Sequence, residues 1–152
     1  MTVALKNIEY RGGVVTFRIP ASWSEHYEPE GGGEFFENGP DTPTLRLNVI
    51  TLRGPSATPE TAADSLKKYG AVERRDNGTA LVRYVKLVDD DGTPLRIMYW
   101  QIAQALPPHH LRMVVFSLTI LASQENEPSI TETLALLDVE LCAAEFAPVL
   151  GA

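Results

Sequence analysis

The side chains in this sequence able to do chemistry are three histidines, one cysteine and several carboxylate clusters. Their spacing argues against most kinds of it. His109 and His110 are adjacent, and neighbours in an extended chain point to opposite sides. They are therefore poorly placed to share one metal ion, and no cysteine or carboxylate motif flanks them. His26 lies between Glu25 and Glu28, where it could titrate with them, and reads as a solvated loop histidine. Asp89-Asp90-Asp91-Gly92 lacks the alternating ligands and the bidentate Glu of a calcium loop, so a hairpin turn is the expectation. Cys142 falls on an expected helix in apolar surroundings, with no base nearby to make a thiolate nucleophile.

Other catalytic patterns are missing from the sequence as well. Gly12-Gly13 and Gly31-Gly32-Gly33 do not follow a strand and open a helix, as a phosphate cradle requires. Ser22, Ser24, Ser56 and Ser65 sit in no Gly-x-Ser-x-Gly elbow. No acid, base, nucleophile and metal set converges. The expectation is a non-enzymatic protein with no catalytic residue, metal site or cofactor.

Composition narrows the alternatives. The chain has 152 residues, 44% hydrophobic and 22% charged, which suits one folded domain over 1–152 with a sizeable core. A net charge of -7 disfavours nucleic acid and anionic membrane surfaces, since both must be met by positive charge. A single cysteine allows no intrachain disulfide. The N-terminal stretch has no continuous apolar run followed by a small-residue cleavage site. The most apolar run, 111–122, is too short to span a bilayer. A cytoplasmic protein is the expectation.

The most unusual surface is 24–43, which carries Glu25, Glu28, Glu30, Glu34, Glu37 and Asp41 without a lysine or arginine. It reads as a long ordered excursion with a short edge strand at 34–36. A solubilising loop is the plain reading. The functional reading is a docking face for another protein, with Tyr27, Phe35 and Phe36 as apolar anchors among Glu28, Glu30 and Glu34.

These residues must be positioned by a sheet. Within 13–23, Val15, Phe17 and Ile19 alternate with Val14, Thr16 and Arg18, a period of two. Pro20 ends the strand, and Trp23 plugs the end of the core. Gly12-Gly13 folds 3–10 back as the other arm of a hairpin. The stretch 44–52 alternates again, with Leu45, Leu47 and Val49 on one face. A helix follows over 58–69, with Thr58 as N-cap, Pro59 at the first helical position and Gly70 as the stop. Strands at 72–75, 81–88, 95–102 and 111–121 form an antiparallel meander, with the last central. A final helix starts near 127–129 and runs to about 145, with Ile130, Leu134, Leu137 and Leu141 in one stripe. Ala135, Val139, Cys142 and Phe146 lie away from that stripe, which points to a homodimer through this helix.

Together these elements resemble the PsbP-like superfamily, the fold of the photosystem II extrinsic protein PsbP and the Ran-binding factor Mog. The resemblance rests on Phe17, Pro20 and Trp23 and on element order along nearly the whole chain. It implies an α+β domain, a twisted antiparallel sheet of about six to seven strands with two main helices packed on it. It also implies a non-enzymatic protein-binding, adaptor or chaperone-like role. The competing reading is a small-molecule carrier, with an apolar pocket between sheet and helix near Tyr99 and Trp100.

Overall fold

The computed structural model describes residues 3–148. Residues 1–2 and 149–152, which the single-domain reading includes, lie outside them. The opening hairpin pairs β1 (Leu5–Tyr10) with β2 (Val15–Pro20), placing Ile8 opposite Phe17 and Tyr10 opposite Val15. Val15, Phe17 and Ile19 point inward and are buried, as period two requires. Trp23 follows Pro20 in a tight turn, its N–H donating to the Pro20 carbonyl at 3.1 Å, and is buried in the same core.

The larger sheet is antiparallel throughout and has the order β3-β4-β5-β9-β8-β7-β6. Its strands are β3 (Ser24–Tyr27), β4 (Gly33–Phe36), β5 (Thr44–Arg53), β6 (Glu73–Arg74), β7 (Thr79–Asp90), β8 (Thr93–Leu106) and β9 (His110–Leu121). The most hydrophobic strand, β9, is the middle one. It sorts residues between two cores by parity. Val114, Phe116, Leu118 and Ile120 face a main core shared with Phe17 and Ile19 of β2 and with Ile130, Leu137 and Leu141 of the final helix, α2 (Pro128–Cys142). Met113 faces the opposite side. There it packs with Ala80, Val82 and Ala103 against Ala62, Ala63 and Leu66 of α1 (Pro59–Leu66).

Local chemistry fixes the start of α1. The Thr61 N–H donates to Thr58 Oγ1 at 3.2 Å, and the Thr58 N–H donates to Thr61 Oγ1 at 2.8 Å. This reciprocal cap, with Pro59 behind it, satisfies donors that the first turn leaves open. The helix tightens into one 3-10 turn over Lys67–Tyr69 before Gly70.

Two elements differ from the sequence-based expectation. The excursion 24–43 is largely a hairpin, β3–β4, added to the edge of the sheet. Phe35 sits opposite Leu45 and is fully buried, which supplies the reason for the pairing. The turn is closed at Gly32, where φ is 102° and the N–H donates to Tyr10 Oη at 2.8 Å. The final helix stops at Cys142 rather than near 145, because β10 (Glu145–Phe146) leaves it to pair with β2. This pairing makes β1, β2 and β10 a second, three-stranded sheet. Ala135 and Val139 remain exposed on α2, on the side that the sequence leaves for a partner.

Trp23→Ala is expected to lower stability by about 3–5 kcal/mol, the usual cost of truncating a buried aromatic. Urea denaturation followed by circular dichroism measures it, and a change near zero would place Trp23 outside the core.

Candidate functional site

The acidic surface divides along the β3–β4 hairpin. Tyr27 and Phe35 turn to the inner face, where their rings meet at 5.8 Å. Tyr27 Oη donates to Glu25 Oε1 at 2.6 Å, and Lys6 Nζ pairs with Glu25 Oε2 at 2.8 Å. Partial burial and the Glu25 carboxylate push the Tyr27 phenol above its usual range, while Lys6 and Tyr27 hold Glu25 low. Glu34 and Phe36 alternate to the outer face. Glu28 and Glu30 belong to the exposed turn. The six residues therefore do not form one patch. Burial removes Phe35 from any surface set, and the apolar anchors of the expected docking face are split between two sides.

Among the described residues, His26, Glu28 and Glu34 bring ligand-type atoms within 4.8 Å of one another. His26 Nε2 is 3.1 Å from Glu28 Oε1, and Glu34 Oε2 is 3.5 Å from Arg46 Nη2. His26 and Glu28 are exposed, and Glu34 is already paired with Arg46.

The other edge of the sheet is different. β7 pairs with β8 from Thr79 opposite Gln104 to Asp90 opposite Thr93. The hairpin closes at Asp91 and Gly92, whose φ values of 53° and 90° define a type I′ turn. This confirms the turn expected of the aspartate run. Among the described residues, the outer side of β7 is paired by β6 only, at Ala80 and Leu81. Gly70 approaches Val82, and the Tyr69 ring stacks on Tyr84 at 5.1 Å. Beyond Tyr84 no strand among the described residues pairs with this edge. Along that bare stretch Val85 is 46% exposed, Leu87 73% and Val88 41%. β-Branched and apolar side chains on an unpaired backbone are a template for another strand.

A groove of about 460 Å³ opens beside this edge, between β7–β8 and α2. Val85, Met98 and Trp100 line one wall, and Leu134, Ala135 and Asp138 the other. It occupies the place that the sequence suggests for a pocket, and Trp100 lies in it. Tyr99 also borders it, but its ring stacks on Tyr84 at 4.6 Å, on the α1 side of the sheet.

The groove ends in a polar cluster that spacing alone does not reveal. Asp138 Oδ1 accepts from Trp100 Nε1 at 2.9 Å and from Arg83 Nε at 2.7 Å. Arg83 Nη2 also reaches Cys142 Sγ at 3.0 Å. Burial pushes the Asp138 carboxyl up, but the hydrogen bonds from Arg83 and Trp100 outweigh it and hold the group below its ordinary range. Burial pushes the Cys142 thiol up against the pull of Arg83, the opposite of an activated thiolate. The helical spacing of Asp138 and Cys142 was the available signal. Their meeting with Arg83, 55 residues from Asp138, is set by β7.

A seven-stranded antiparallel sheet with a helix on each face, closed by a small second sheet, defines the class: this is the PsbP/Mog1-like α+β fold. No family model and no curated protein matches the chain. Solved structures do. LpqN of Mycobacterium tuberculosis, described as involved in cell envelope biogenesis, is similar over 96% of this chain and 92% of its own, with 12% identity and a TM-score of 0.61. A protein of Bacteroides thetaiotaomicron matches 93% of this chain at 14% identity and a TM-score of 0.63, and the chain spans 48% of that protein. A Mog1 mutant matches 94% of this chain and 96% of its own at 12% identity, with a TM-score of 0.54. At such identities the likeness is one of fold.

Asp138→Asn is expected to cost about 1 kcal/mol at neutral pH, since solvent screens this half-exposed pair. A carboxyl held low in the folded state adds stability above its unfolded pKa and loses it as pH falls through the folded value. The difference between wild type and variant should therefore shrink below the ordinary value of 3.8. Urea melts at neutral and acid pH measure it.

Proposed function

We propose that this chain is a non-enzymatic protein-binding module that takes an extended segment of a partner along β7. The observation that carries this reading is the bare edge beyond Tyr84, with Val85, Leu87 and Val88 exposed on both faces of one strand. Main-chain hydrogen bonds would give affinity there, and the alternating side chains would give selectivity. The groove beside Val85 offers a seat for an apolar side chain of the incoming segment. The polar cluster that does form, Arg83, Asp138, Trp100 and Cys142, is mutually hydrogen-bonded and holds α2 to the sheet, which supports a binding role over a chemical one.

A second reading is carriage of a small apolar molecule in the same groove, favoured by its predominantly apolar walls. Ala135→Phe would fill the groove. In that case it should abolish fluorescence enhancement of the apolar dye anilinonaphthalene sulfonate, and unchanged enhancement would exclude the groove as the dye's site.

The first reading is tested by capture with the tagged full chain from its source cells, followed by rebinding of the captured partner in purified form. Leu87→Lys should weaken rebinding at least about tenfold, a loss of about 1.4 kcal/mol, by setting an unpaired charge in the interface. Glu30→Lys, on the distant hairpin, should leave it unchanged. Equal binding by wild type and Leu87→Lys would remove β7 from the function.

A further inference from the structure

Resting on that reading of β7, we infer that one occupant of the edge is a second copy of this chain, paired antiparallel about a two-fold axis at Leu87. The argument begins with charge order. Lys86 lies in the first half of the bare strand, just after Arg83, and Asp89 and Asp90 lie in the second, with Asp91 at the turn. Antiparallel self-pairing is isologous, so residue i meets j while j meets i. The basic half of each copy then lies against the acidic half of the other.

Parity selects the register. For the two sheets to continue with their core faces on one side, the axis must pass through a residue, because a one-residue slip turns every side chain over. With the axis on Leu87, the residue pairs become Leu87 with Leu87, Lys86 with Val88, Val85 with Asp89 and Tyr84 with Asp90, which is the end of β7. Lys86 then has Asp90 and Lys86 of the other copy on its two diagonals, and its long side chain can turn to the carboxylate and away from the ammonium. An axis on Lys86 would oppose two ammonium groups directly, which destabilises a pair. An axis on Val88 would set Val85 and Tyr84 against the partner's turn residues, Asp91 and Gly92. Only the Leu87 register places its most exposed apolar residue at the centre, with opposite charges toward both ends.

Apolar exposure is concentrated at the same place. Four of the eight large hydrophobic residues exposed among the described residues, Val85, Leu87, Val88 and Val139, belong to β7 or to α2. Val139 lies one helical turn beyond Ala135, which walls the groove next to Val85. Self-pairing therefore brings the exposed side of α2 toward the two-fold axis. The strand makes the contact, and the helix, which the sequence suggests as the dimer face, flanks it.

Sedimentation velocity on the full chain tests the assembly. The expected result is self-association with a dissociation constant in the micromolar range, weakened at least about tenfold by Leu87→Asp. Cross-linking tests the register. In a Cys142→Ser background, Leu87→Cys should form a disulfide-linked dimer under copper-phenanthroline, because directly opposed residues lie about 4.5–5.5 Å apart between Cα atoms, within disulfide reach. Val85→Cys should not, since its copies would sit about 13 Å or more apart along the strands. A chain that sediments as a monomer up to about 200 µM, far above a micromolar dissociation constant, overturns the inference, as does equal cross-linking at both positions. A monomer whose purified partner still depends on Leu87 would fail this inference and leave the binding reading intact. A dimer with a Leu87-independent partner would do the reverse.

Discussion

Phe17 joins the two sheets of this protein. Its ring meets Phe116 edge-on at 5.0 Å and Phe35 at 5.4 Å, so one residue of β2 touches the centre of the large sheet and its β4 strand together. Edge-to-face pairs add about 0.5–1.5 kcal/mol each beyond the area they bury. Both sheets depend on this contact. β1, β2 and β10 make too small a sheet to bury a face alone, and among the described residues they are what covers the β4–β5 end of the large sheet. α2 covers the remainder of the same face, and Arg18 ties β2 to it through a two-pronged pair with Glu140 at 2.7 and 3.0 Å.

An open antiparallel sheet leaves two edges to manage, and this one treats them differently. At β3 the edge is short and carries Glu25, His26 and a turn with Glu28, the charged and brief sort of edge that discourages pairing. At β7 the strand is three times as long, twelve residues against four, and its far half is partly apolar. The contrast is a physical reason for the proposed binding to use β7 and not the short, charged edge at β3.

The sequence foretold the parts of the fold that rest on local rules. Period two marked β2 and β5, a long apolar run marked β9, and Thr58-Pro59 marked the start of α1, because alternation, hydrophobicity and capping are written in consecutive residues. The hairpin β3–β4 was less legible. Ser24-Glu25-His26-Tyr27 has no apolar alternation, and its strand exists because Phe35 is drawn under Phe17, a long-range contact. The exposed edge was hidden for a related reason. Leu81 and Leu87 have the same parity and read alike in sequence, yet one is buried and the other exposed. Only the reach of α2 and the two-residue length of β6 decide where cover ends. Cys142 and Asp138 showed their helical spacing, but Arg83 could join them only through the sheet.

That cluster also bears on how the edge could bind. Arg83 and Trp100 hold Asp138 of α2 against β7 and β8 where the paired part of β7 gives way to the bare part. A strand anchored at that point loses less freedom when another strand joins it, and lower ordering cost is how preorganised surfaces gain affinity. The net charge of -7 opposes the approach of two copies at long range. Over distances beyond the Debye length, about 8 Å at physiological ionic strength, salt screens that repulsion. The order of charges along β7 acts at contact, where it is screened far less. A chain that is acidic overall can therefore still present an edge that is complementary to itself.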